Sequence, residues 1–112
     1  MTESEYEISE FIRAGSSPFG EWFESLDPLA ASKITTAIYR LRYGSFSSVR
    51  SVGGGVFEYK IDFGPGYRIY FGYDGKALII LLSGGTKKRQ RRDIWEARTL
   101  WLEYKARKRT GR

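Results

Sequence analysis

Gly55-Val56-Phe57-Glu58-Tyr59-Lys60-Ile61-Asp62-Phe63-Gly64-Pro65-Gly66-Tyr67-Arg68-Ile69-Tyr70-Phe71 largely alternates bulky apolar with polar side chains and is broken once, at Gly64-Pro65-Gly66. A period of two marks strands with one buried face, and the Gly-Pro-Gly break sends the second strand back beside the first. Phe57, Tyr59, Ile61 and Phe63 point one way; Glu58, Lys60 and Asp62 point the other. Tyr73-Asp74-Gly75-Lys76 is a further hairpin signal. Beyond it, Ala77-Leu78-Ile79-Ile80-Leu81-Leu82 is apolar on both faces, as a central strand is. The stretch predicts a three-stranded antiparallel meander.

Upstream the period changes to that of helices. Ser17 before Pro18 is an N-cap with proline at the first helical position, and Phe19, Trp22, Phe23 and Leu26 follow at helical spacing. Asp27-Pro28 repeats the signal, and a second helix runs to about Arg42 with Ala30, Ile34, Ala37, Ile38 and Leu41 on one face. The two form a helical hairpin. Tyr6 and Ile8 alternate with Glu5, Glu7 and Ser9, so the first dozen residues read as a half-buried strand that ends at Gly15-Ser16-Ser17. Tyr43 to Ser51 reads as a loop. Downstream, Ser83-Gly84-Gly85-Thr86 reads as a break in the sheet that caps a final helix, whose Ile94, Ala97, Trp101 and Tyr104 share one face. The tail, residues 105–112, is nearly all basic and suits the negative end of that helix's dipole. The expected fold class is α+β: one small domain over residues 1–112, in the order β-α-α-β-β-β-α, with an antiparallel sheet and the N-terminal helical hairpin packed on it.

Composition narrows the chemistry. The 112 residues include no cysteine and no histidine, which excludes disulfides, thiolate or imidazole metal sites, and catalytic triads built on either residue. Neither a metal nor a cofactor is expected. No apolar run approaches the roughly 20 residues of a membrane span, and the N-terminus opens with Glu3, Glu5 and Glu7 in place of a basic and then apolar leader. A soluble cytoplasmic protein without a membrane partner is expected. The net charge of +6 is segregated, because residues 1–27 hold seven acids and one base while residues 28–112 hold 18 bases and six acids. Such a distribution favours a polyanionic partner for the later part of the chain.

Lys87-Lys88-Arg89-Gln90-Arg91-Arg92 places five cations in six residues where the last helix is expected to start. Helix N-termini disfavour positive charge by roughly 0.3–1 kcal/mol per residue, and a phosphate reverses the sign of that cost. The run reads as a phosphate cradle, using the backbone N–H groups that follow Gly84-Gly85; the plainer reading is a solvated basic turn paired with Asp93 and Glu96. Lys60 and Arg68 fall on the polar face of the meander, close across its short turn, or are simply paired there with Glu58 and Asp62. RNA carries its own nucleophile, the 2′-hydroxyl, so its cleavage needs only a base, an acid and cations on the scissile phosphate. Repulsion among neighbouring cations makes Lys60 or Lys88 the candidate proton acceptor, and Arg68 and Arg89 suit the dianionic transition state. Lys87, Gln90, Arg91 and Arg92 complete the candidate RNA-binding surface. Tyr70, or Trp95 in the last helix, is placed to stack on a splayed base; Trp95 also reads as a core residue.

Residues 55–71, followed by Leu81-Leu82-Ser83-Gly84-Gly85-Thr86-Lys87-Lys88-Arg89-Gln90-Arg91-Arg92-Asp93-Ile94, resemble the signature of HigB-like toxins. These form the phage-derived, Gp49-like branch of the RelE/ParE superfamily, also called addiction module killer proteins. Ser17-Pro18-Phe19 with Trp22, and Tyr43-Gly44-Ser45-Phe46, fit the same pattern, so the likeness spans roughly residues 5–105. The resemblance implies two helices on an antiparallel sheet. It implies the toxin of a type II toxin–antitoxin pair, cutting mRNA in the ribosomal decoding site, with a HigA-like helix-turn-helix antitoxin encoded nearby. Lys60, Arg68, Lys88 and Arg89 match the family's basic site positions, and Lys87, Gln90 and Asp93 match the motif of this branch. Two positions depart: Asp62 stands where RelE has a second catalytic lysine, and Trp95 stands where it has a stacking tyrosine. Because the superfamily also contains ParE-like inhibitors of DNA gyrase, that activity and a non-catalytic RNA-binding role are the competing expectations.

Overall fold

Five strands, β1 (Glu7–Glu10), β2 (Val49–Gly53), β3 (Val56–Ile61), β4 (Tyr67–Asp74) and β5 (Leu78–Thr86), form one mixed sheet in the order β1-β5-β4-β3-β2. The structure, a computed structural model, describes residues 5–111. The helices are α1 (Pro18–Glu24), α2 (Pro28–Arg42) and α3 (Gln90–Thr110), the last preceded by a single 3-10 turn at Lys87–Arg89. The α+β class and the helical hairpin are as the sequence predicts, caps included. The Ser17 hydroxyl accepts from the Gly20 N–H at 2.8 Å and the Asp27 carboxylate from the Ala30 N–H at 2.9 Å, each ahead of a first-turn proline.

Three features differ from expectation. Val49–Gly53 is not loop but an edge strand, antiparallel to β3, with a register shift between Ser51 and Gly53. Its Arg50-Ser51 pair is exposed, so the segment lacks the alternation that would betray a strand. The opening strand pairs parallel with β5, which makes the sheet mixed; residues 1–4 of that expected strand lie outside the described residues. Lastly, β5 does not stop at Leu82 but runs through the glycines to Thr86, pairing Gly84 with Ile69 and Gly85 with Arg68.

The sheet is covered on both faces. Against α1 and α2 lie Tyr59, Ile69, Phe71, Ile79 and Leu81, packed on Phe19, Ile34, Ala37 and Leu41. Against α3 lie Val52, Val56, Tyr70, Ile80 and Leu82, packed on Ala97, Leu100 and Trp101. Strand residues therefore alternate between two cores, and this is why β4 and β5 carry few solvent-facing positions. Glycines let the helices approach: a Cβ at Gly72 would lie 2.7 Å from the Trp101 ring. The basic tail is the end of α3 itself. Arg107 donates to the Ile12 carbonyl at 2.7 Å and covers the Phe11 ring, while Lys108 and the Tyr104 hydroxyl both donate to Asp74. These two donors hold Asp74 below the usual carboxylate range, and burial together with that bond pushes the Tyr104 phenol up to about 12. No helix among the described residues is long and apolar enough to cross a membrane.

Candidate functional site

The register of β3 against β4 sets Lys60 directly opposite Arg68 and Glu58 opposite Tyr70. Residues paired in this way project from the same face of a sheet, here the face that α3 covers. In β5, a register shift opposite Tyr70 and Phe71 adds one residue, so Leu82 and Ser83 both fall on this face before Gly85 pairs with Arg68. Trp101, Leu100 and Ala97 fill one end of the face with apolar side chains. Toward the start of α3 the filling becomes polar.

Glu58 is the centre of that polar end. It is 1% exposed and accepts from Arg50 Nε at 2.9 Å, Gln90 Nε2 at 2.9 Å and the Tyr70 hydroxyl at 3.1 Å, with Arg68 Nε at 3.6 Å. Burial raises the Glu58 carboxyl's pKa, but the bonds from Arg50, Gln90 and Tyr70 outweigh it and hold the group below its ordinary value. Burial and the adjoining Glu58 charge drive the Tyr70 phenol well above its ordinary value. One carboxylate thus joins β2, β3, β4 and the first residue of α3.

Arg68 is also buried, 4% exposed, and its Nη1 donates to the Gly66 carbonyl at 2.7 Å. A Cβ built on Gly66 would lie 3.1 Å from Arg68 Nη1 and 3.3 Å from the Lys87 Cβ. The Lys87 N–H donates to the Pro65 carbonyl at 3.3 Å. These contacts seat the 3-10 turn, Lys87 to Arg89, on the Gly64-Pro65-Gly66 turn beside Arg68. All three of its cations are exposed, as are Arg91 and Arg92 in the first turn of α3.

Beneath them Asp93 is buried against β5, where a Cβ at Gly85 would run into its carboxylate. Burial raises the Asp93 pKa, with Arg89 and Arg92 pulling the other way and Glu96 adding to the rise. Gly84 does the same service on the opposite face, where a Cβ would strike the Trp22 ring. The two glycines are therefore spacers inside a strand, not a free nest of N–H groups after the sheet. Among the described residues, three buried side-chain atoms have no hydrogen-bond partner: Arg68 Nε, Ser83 Oγ and Asp93 Oδ2. All belong to this one region. No cluster of three acidic side chains suited to a metal occurs among the described residues.

The structure brings together Lys60, Arg68, Lys87 and Gln90, and leaves Lys88, Arg89, Arg91 and Arg92 exposed on the turn and helix start that follow. Two ring positions change. Tyr70 is fully buried with its hydroxyl on Glu58, so it has no free face for a base, because the strand's second face is covered by α3. Trp95 is 67% exposed on α3 and is not a core residue. The sequence reading missed Glu58, which looks like a solvent-facing strand position. The signal that finds it is the apolar stripe of the last helix, which must cover one face of the sheet.

Residues 21–102 match the family described as Phage derived protein Gp49-like (DUF891), a span that holds α2, β2 to β5 and the first half of α3. The chain is also 43% identical over 86 residues to a protein of Haemophilus influenzae described as uncharacterized, covering 76% of this chain and 87% of that relative. Both the strands that pair Lys60 with Arg68 and the basic turn seated beside them fall inside the family match, and the chain belongs to the phage-derived Gp49-like family.

Proposed function

We propose that this protein is the toxin of a type II toxin–antitoxin pair and a metal-independent endoribonuclease that cuts ribosome-bound mRNA in the cytoplasm. Its partner on this reading is a HigA-like helix-turn-helix antitoxin. The observation that carries the proposal is the Lys60–Arg68 cross-strand pair at the foot of a run of five cations, three in the 3-10 turn and two in the first turn of α3. Lys60 or Lys88 takes the proton of the 2′-hydroxyl, whose oxygen attacks the adjacent phosphorus. The bond to the 5′-oxygen breaks, that oxygen acquires a proton, and a 2′,3′-cyclic phosphate remains. Arg68, Lys88 and Arg89 offset the charge that grows on the phosphoryl oxygens. Lys87, Gln90, Arg91 and Arg92 hold the flanking backbone, and the exposed Trp95 ring supplies a stacking surface for a base.

Induction in cells should arrest growth and create new mRNA 5′ ends within codons. Lys60→Ala, at an exposed position, should cut the cleavage rate by about 10²-fold or more. Arg68→Ala should abolish cleavage, with Lys88→Ala as the exposed counterpart that leaves the core untouched. Intact transcripts in arrested cells would overturn the proposal, and DNA breaks accumulating with gyrase and supercoiled plasmid would replace it with gyrase inhibition.

A further inference from the structure

A cleft of about 690 Å³ opens on the other side of Lys60, between α2 and the β2–β3 edge of the sheet. Its α2 wall carries two cations, Lys33 and Arg40, while Arg50 and Lys60 line it from the sheet edge with their side chains on the face of Glu58 and Arg68; Asp62 is the one acid in the lining. Lys33, Thr36 and Arg40 follow each other at helical spacing along one wall, so the two α2 cations stand about 10 Å apart along the axis. On the opposite wall Ser48 lies just before the start of β2, its carbonyl accepting from the Lys60 N–H at 3.1 Å. Lys33 Nζ sits 4.9 Å from the centroid of the Phe63 ring, which fixes that side chain at the cleft's mouth. Arg50 is bonded to Glu58, yet its side chain is 61% exposed.

Cations alternating with small hydroxyls along a trench suit a chain of phosphates, since these are the side chains that contact a nucleic-acid backbone without reading its bases. An acidic polypeptide helix would in addition need an apolar stripe to dock on, and the apolar residues of this cleft, Ala37 and Tyr59 among them, are already buried against the sheet. Lys60 lies between the two places: its backbone bonds Ser48 at the cleft, and its side chain projects from the face it shares with Arg68. We infer that the cleft is a backbone-binding channel for single-stranded RNA, carrying the same strand away from the scissile phosphate around the β2–β3 edge. The inference rests on the endoribonuclease reading for the site at Lys60 and Arg68.

Lys33→Gln with Arg40→Gln removes two exposed cations on α2 and leaves every residue assigned to cleavage in place. Binding of a long oligouridylate and of the uridine trinucleotide would be followed against salt by fluorescence anisotropy, with circular dichroism confirming the fold. Each lost phosphate contact on a single strand lowers the slope of log affinity against log salt by about 0.7, so the double variant should lose about 1.4 with the long RNA. The trinucleotide, too short to reach the cleft from the site, should be unaffected. An unchanged slope for the long RNA overturns the channel and leaves the cleavage reading standing. Absence of RNA binding by the wild-type chain overturns the channel, whereas the cleavage reading is decided by the mRNA 5′ ends in induced cells. If the variant instead loses affinity for poly-glutamate while keeping its affinity for RNA, the cleft takes an acidic polypeptide and the channel is rejected.

Discussion

The two faces of the sheet are built from the same strands and solve different problems. Toward α1 and α2 the strands present Tyr59, Ile69, Phe71, Ile79 and Leu81, and neighbouring rings meet edge-on or stacked, as Phe71 does with Tyr73 and Phe57. Toward α3 the same strands bury Glu58 and Arg68 beside the helix's own Asp93, and the three buried side-chain atoms without a hydrogen bond among the described residues, Arg68 Nε, Ser83 Oγ and Asp93 Oδ2, lie there. Burying polar groups without complete pairing costs free energy that an apolar face does not incur. The contrast teaches that the first face supplies stability and the second spends part of it on holding cations at a fixed place.

The sharpest way to break this contrast is Glu58→Ala. It leaves Arg68 buried without its carboxylate, and breaking such a pair costs about 3–5 kcal/mol. Urea unfolding should register that loss, whereas the volume-conserving Leu81→Met on the opposite face should cost less than about 1.5 kcal/mol. Equal losses from the two would mean that the faces do not differ.

A smaller effect is expected at Gly85. Gly85→Ala drives a methyl group into the Asp93 carboxylate and should cost about 1–3 kcal/mol, as overpacking does. Gly75, whose Cβ would meet nothing, is the wrong control because its φ of +73° already disfavours alanine. Ser83→Ala is the better one: it removes an unpartnered buried oxygen and should leave thermal stability level or slightly raised.

The smallest effect has the clearest sign. Glu58's folded pKa is lowered, so its contribution is present above the ordinary carboxylate value and is lost as pH falls through the folded one. Asp93's folded pKa is raised, so its contribution is present below the ordinary aspartate value and is lost as pH rises through the folded one. Asp93→Asn should therefore match or exceed the wild type at neutral pH, with the difference closing on acidification. A deficit at neutral pH that shrinks on acidification would show that the carboxylate is held by a bond instead of merely being buried.

The hairpin of helices, the meander and the last helix could all be read from residue spacing, because Ser17-Pro18, Asp27-Pro28 and Gly64-Pro65-Gly66 punctuate the chain where the backbone must change direction. The second layer could not. Lys60 and Arg68 were identifiable as a pair, since the turn between them is short, but Glu58 alternates like any solvent-facing strand residue. Only the packing of Ala97, Leu100 and Trp101 across the sheet turns its position into an interior one. Gly84-Gly85 misled for a related reason: absent side chains signal a turn as readily as they signal close approach by helices from two sides. Val49–Gly53 escaped because an edge strand pairs through its backbone and needs no apolar alternation of its own.

The covering of Glu58 by α3 has a consequence for how the molecule comes into being. The element that seals this carboxylate is made after every strand it rests on and directly follows the basic turn. A nascent polypeptide halted before Gln90 would present Glu58 and Arg68 to water. Burial of Glu58 and Arg68 thus waits on the synthesis of α3, so the polar end of this face cannot close while only the strands exist.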